Sequence, residues 1–116
     1  MATEIITVAA NTTVHSKLRE FFIDQLQDIL WAEKKMVKTL EKLKDAATTI
    51  RLKESFNDHL KETKVHVERL NDIFSLIEED ADEKKCKAMA GIVDEGEDII
   101  GETDKGSAQR DVGLIF

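Results

Sequence analysis

From Leu18 to Leu43 the chain repeats apolar residues in steps of three and four: Leu18, Phe22, Leu26, Ile29, Met36, Leu40 and Leu43, with Ala32 filling the one gap. That spacing predicts a long amphipathic helix, because it lines up residues along one side of a 3.6-residue turn. Thr12, Thr13 or Ser16 could each cap its start, and it is expected to run to about Ala47. Leu30 and Val37 widen the stripe on one side and Phe21 on the other, so the helix should touch more than one neighbour. A second stripe, Leu52, Phe56, Leu60, Thr63, Val67, Leu70, Phe74 and Ile77, predicts a second long helix with Thr48 or Thr49 as its cap. The link ATTI between them is so short that the two helices must lie antiparallel. The acids Glu78, Glu79, Asp80, Asp82 and Glu83 mark the end of this hairpin.

The pattern weakens afterwards. KCKAMAGIVDEGEDII predicts a shorter helix with Met89, Ile92, Val93 and Ile99 as its apolar positions. GETDKGSAQ reads as a loop, and RDVGLIF as the first turn or two of a further helix. There is no proline, and all five glycines lie at or after Gly91. Unbroken helices are therefore expected early and breaks late. The expected organisation is a flexible N-terminus over residues 1–12 and one all-α domain over residues 13–116. The hairpin alone cannot cover its own apolar stripe; it needs further helices from itself or from a partner.

Composition narrows the function classes. A length of 116 residues suits one domain, and a 41% hydrophobic share excludes a wholly disordered chain. The net charge of −7 argues against nucleic acid as a partner, since phosphate binding gathers Lys and Arg on one face. Lys34, Lys35 and Lys38 are interspersed with acids and read as a solvated face. A single cysteine, Cys86, excludes an internal disulfide and fits a reducing compartment. The start, MATEIITVAA, lacks an early basic residue and a long apolar core, and no apolar run approaches the ~20 residues that span a bilayer. A cytoplasmic protein without a membrane partner is the expectation.

Polar residues on the apolar stripes are the candidates for chemistry, because burying an unpaired charge is costly. With Leu18 as origin, Glu33 falls at roughly +60° on the first helix, bracketed by Ile29, Leu30, Met36, Val37 and Leu40. It must pair with a basic residue of a neighbouring helix, be protonated, or bind a cation. On the second helix His59, Glu62 and His66 form one ridge at the edge of the stripe, with spacings of three and four. Imidazole and carboxylate at such spacing can grip one metal ion, although boundary histidines are commonly structural. A Glu on one helix, and a Glu with a His on the next, is half of the di-iron or di-manganese constellation of four-helix bundles. The usual His three residues after its Glu is missing, because position 65 is Val. Cys86, between Lys85 and Lys87, is either a reactive thiol or a partly buried structural one. Trp31 falls on the outer side of the first helix and could mark a contact with another helix or chain.

The segments KLREFFIDQLQDILWAEKKMVKTLEKL, LKESFNDHLKETKVHVERLNDIF and KCKAMAGIVDEG resemble, in this order and spacing, the bacterial YciF/YciE-type ferritin-like family. The most specific parts of the resemblance are the AEK around Glu33 and the stretch from His59 through Glu62 and Thr63 to Arg69. It implies a stress-associated four-helix bundle with a dinuclear iron or manganese site and a tendency to dimerise, its reaction undefined. Carried over, Glu33 and Glu62 would be carboxylate ligands and His59 a neighbouring ligand, while His66 stands at a variable position. Leu30 stands where a tyrosine is more usual. In relatives a segment like RDVGLIF leads into a third long helix and then a fourth, both with further ligands, whereas this sequence stops at Phe116. The expectation is a ferritin-like hairpin completed by a homodimer or higher homo-oligomer; the alternative is a helical interaction module without metal.

Overall fold

The computed structural model describes residues 16–116, so the expected flexible stretch 1–12 and the candidate caps Thr12 and Thr13 lie outside the described residues. Helix α1 runs Lys17–Ala46 and opens on Ser16, whose hydroxyl accepts from the Arg19 backbone N–H at 3.1 Å. Thr49 caps α2, Ile50–Leu76, in the same way, accepting from Leu52 N–H at 3.3 Å. Both caps satisfy a donor that the first turn of a helix leaves without an intrahelical partner. At 1.5 Å per residue the two helices are about 40–45 Å long. Their antiparallel register sets Arg19 against Ile77, Glu33 against His66 and Lys44 against Lys53.

The second helix ends in a Schellman arrangement, with Glu79 N–H donating to Phe74 O at 3.0 Å and Glu78 N–H to Ser75 O at 3.2 Å. Glu78 takes the left-handed conformation there, φ 57°, a place usually held by glycine. Residues 79–86 then carry no helix and lie along α1: Lys84 N–H donates to Gln27 O at 3.1 Å and the Lys84 ammonium to Asp24 Oδ1 at 2.8 Å. That last bond raises the Lys84 pKa above its ordinary value. Helix α3, Lys87–Glu102, is capped by the Cys86 thiol, whose Sγ accepts from Met89 N–H at 3.4 Å. Cys86 is a half-buried free thiol. Helix α4, Ala108–Ile115, opens on Ser107.

The expectation of late breaks holds at Gly106 alone, with φ 88° in the turn before α4. Gly91, Gly96 and Gly101 sit inside α3, and open space surrounds each of them. The helix tolerates them because its stability comes from the apolar residues packed on its neighbours rather than from propensity. Gly113 is different. A Cβ there would stand 2.5 Å from Ile99 Cγ2, so its bare backbone is what lets α4 close on α3.

The core is a narrow seam of Leu26 and Leu30 from α1 against Leu70 and Phe74 from α2, flanked by Val67, Ile73 and Ile77. Thr63 is buried as expected and donates to His59 O at 2.8 Å; Thr39 of α1 does the same with Lys35 O. Part of the α1 stripe departs from the expectation of a buried face. Leu18, Phe21, Phe22 and Ile29 are 70%, 61%, 47% and 43% exposed. The stripe is wider than one neighbour can cover, and α2 takes the side bearing Leu26 and Leu30. Ile92 of α3 is exposed as well.

Candidate metal centre

Midway along the hairpin the register brings one acid and one imidazole face to face. Glu33 of α1 and His66 of α2 approach to 3.6 Å between Oε2 and Nδ1, with 28% and 47% of the side chains exposed. The separation is too long for a hydrogen bond. Among the described residues no Lys or Arg lies within 4 Å of the Glu33 carboxylate, so the expected ion pair with a basic neighbour does not form. Two donors bonded to one transition-metal ion at about 2.1 Å stand about 3.0–3.4 Å apart, so this pair fits a shared cation after closing by a few tenths of an ångström.

Glu62 and His59 lie on α2 on the N-terminal side of His66, and both are exposed. Among the described residues no three of His, Cys, Asp and Glu gather closely enough to hold an ion together. One chain therefore joins Glu33 to His66 and leaves Glu62 and His59 apart from them. Which histidine meets Glu33 depends on helix register, so the sequence pattern left it open.

The far end of the hairpin is held by two residues that the sequence reading passed over. Arg110 and Asp111, in the first turn of α4, are 5% and 8% exposed. Asp111 accepts from Thr48 N–H at 2.6 Å and Thr49 N–H at 2.9 Å, covering the start of α2. Those two bonds, the one from Thr48 foremost, hold its carboxyl below the usual carboxylate range. Arg110 donates to Ala46 O at 3.1 Å, Ile100 O at 3.0 Å, and both Oγ1 and O of Thr103 at 2.5 and 2.6 Å, closing the ends of α1 and α3. At the other end Arg19 donates to Ile77 O at 3.0 Å and meets Glu79 at 3.1 Å. The two ends are clamped, and Glu33 and His66 lie between them. In sequence, Arg110 and Asp111 look like an ordinary surface pair; the one available signal was their place just after a Ser cap.

Trp31, expected on the outer side of α1, is half-buried in a groove between α1 and α2. No helix of the described residues is long and apolar enough to cross a membrane.

Comparison with known proteins agrees with this architecture. The family described as Domain of unknown function (DUF892) matches residues 17–116. YciF of Escherichia coli strain K12 is 33% identical over 102 residues, which take in 84% of this chain and 59% of YciF. The solved structure of YcfI, a candidate structural protein from Rhodopseudomonas palustris, is similar with a TM-score of 0.80 at 26% identity, covering 86% of this chain and 63% of that one. This chain thus spans less than two thirds of either relative. Four helices without a strand among the described residues, the clamped antiparallel hairpin and the match over residues 17–116 lead to one assignment: the chain belongs to the YciF-type DUF892 family, of the ferritin-like type.

Proposed function

We propose that this protein is a ferritin-like metal-binding bundle of the stress-associated type, with iron or manganese held between carboxylates where hairpins associate. One observation carries the reading: the Glu33 carboxylate, set on the apolar stripe of α1, has the His66 imidazole rather than a Lys or Arg beside it. A carboxylate so placed gains most from a cation, because its partial burial weakens hydration without supplying a compensating charge.

Glu33 and His66 would hold the ion from one chain, with Glu62 and His59 as the further donors on α2. A second hairpin seated on the exposed Leu18, Phe22 and Ile29 would bring its own Glu33 and Glu62 and double the carboxylates, as a two-fold axis requires. His66 would hold the ion through a ring-nitrogen lone pair. Bound iron or manganese supplies redox chemistry toward oxygen or peroxide.

A second reading has its own support. Among the described residues no third donor joins Glu33 and His66, and the exposed apolar residues of α1 suit a helical interaction module without metal. Elemental mass spectrometry after anaerobic loading with ferrous iron and desalting separates the two. About one iron per chain, lost in a Glu33→Ala, Glu62→Ala double variant, is the expected result. No iron retained by either protein leaves the interaction module.

A further inference from the structure

The connection between α2 and α3 indicates what the back of α1 accepts. This acidic, non-helical stretch places Glu79 3.1 Å from Arg19 Nη2 and Glu83 3.5 Å from Lys34 Nζ, with Lys84 N–H donating to Gln27 O between them. Where it leaves α1, an open groove of about 760 Å³ continues between α1 and α2. Trp31 and Val37 from α1 and Val67 from α2 form its apolar part, and Lys35, Lys38 and Lys64 stand around them.

Those three lysines are the unusual feature. The chain carries a net charge of −7, yet among the described residues no carboxylate lies within 4 Å of the Lys35, Lys38 or Lys64 ammonium. Two come from α1 and one from α2, so the sequence alone did not bring them together. Like charges gathered on one rim repel until an anion arrives.

We propose that this groove docks an extended acidic peptide segment of a partner protein. Its carboxylates take Lys35, Lys38 and Lys64, and one apolar side chain lies over the Trp31 indole, Val37 and Val67. The chain's own acidic connection is the precedent: it lies without helix along the same α1 and pairs with its basic residues Arg19 and Lys34. Glu68 and Glu83 also line the groove and disfavour a nucleic-acid strand, whose phosphates repeat without gaps. A peptide can place its carboxylates at intervals that avoid them.

Trp31 is the only tryptophan and the chain has no tyrosine, so intrinsic fluorescence reports this groove directly. The probe is an acetylated, amidated peptide EEDLEE, with QQNLQQ as its uncharged control. Titration with EEDLEE should shift Trp31 emission saturably and be suppressed by salt, while QQNLQQ has no effect. Anisotropy of a labelled EEDLEE should give a Kd raised about tenfold by Lys35→Glu, Lys38→Glu together, and likewise weakened by Lys64→Glu, with far-UV circular dichroism unchanged. The proposal is overturned if millimolar EEDLEE leaves Trp31 unmoved, or if the folded charge-reversal variants bind as wild type. Tighter binding of a single-stranded oligothymidylate overturns it too, as does an emission change that follows protein concentration without peptide and so hands the groove to a second copy.

Discussion

Asp111 accepts a hydrogen bond from the backbone N–H of Thr48 at 2.6 Å, so that the first turn of α4 holds the turn between α1 and α2. The same carboxylate covers Thr49 N–H, and both donors would otherwise be left over at the start of α2.

This pairing makes stability pH-dependent in a defined direction. The folded-state pKa of Asp111 lies below its ordinary 3.8, so around and below pH 4 the unfolded chain binds the proton first. The contribution is present above that range and is lost as pH falls through the folded value. Asp111→Ala should lower Tm by about 5 °C at pH 7. The difference from wild type should shrink as thermal melts are taken toward pH 3. A constant difference from pH 7 to pH 3 would remove the carboxylate from the account.

The buried Arg110 closes two helix ends through their carbonyls, and Arg110→Met leaves the oxygens of Ala46, Ile100 and Thr103 without that donor. The expected cost is about 2–4 kcal/mol in urea unfolding. Arg19→Met removes one such bond, to Ile77 O, from a more exposed side chain and should cost about 1 kcal/mol. Equal losses in the two variants would refute the role given to burial here.

Glu78 holds the left-handed position that ends α2, φ 57°. Glycine takes this conformation without the Cβ clash, so Glu78→Gly should stabilise the protein by about 0.5–1 kcal/mol despite its greater freedom when unfolded. A lower urea midpoint in this variant would mean that the Glu78 side chain does something the backbone does not reveal.

The glycines of α3 and α4 should respond with opposite signs. Gly96→Ala, in open space within a helix, should add about 0.5–1 kcal/mol. Gly113→Ala meets Ile99 Cγ2, which sits too near its own backbone to swing away, and should cost about 1–3 kcal/mol. Adding Ile99→Ala removes the obstructing methyl, so in that background Gly113→Ala should cost much less. Thermal melts of the four variants test the set; a Gly113→Ala penalty unchanged by Ile99→Ala would place the clash elsewhere.

The two long helices were legible in the sequence because helix periodicity is local: Leu26, Leu40, Leu60, Leu70 and Phe74 fall on the expected faces and are buried. The caps Ser16 and Thr49 were among the candidates for the same reason, each needing only a hydroxyl and the next turn of backbone. The short ATTI link sufficed to make the helices antiparallel. Leu18, Phe22 and Ile29 share that periodicity and are exposed, because which part of a wide stripe is covered depends on where the neighbour lies.

For the candidate site, sequence determined the residue types and the faces, and left the partners open. Glu33, His59, Glu62 and His66 all lie on the expected helices, but the register of α1 against α2 decides that His66 faces Glu33 while Glu62 and His59 are exposed. The clamp of Arg110 and Asp111 and the lysines around Trp31 likewise join residues far apart in the chain. Amphipathic spacing determines what a helix can bury, since it is set by 3.6 residues per turn. What each polar side chain meets is decided by the crossing and register of helices, which follow from the packing of the whole seam.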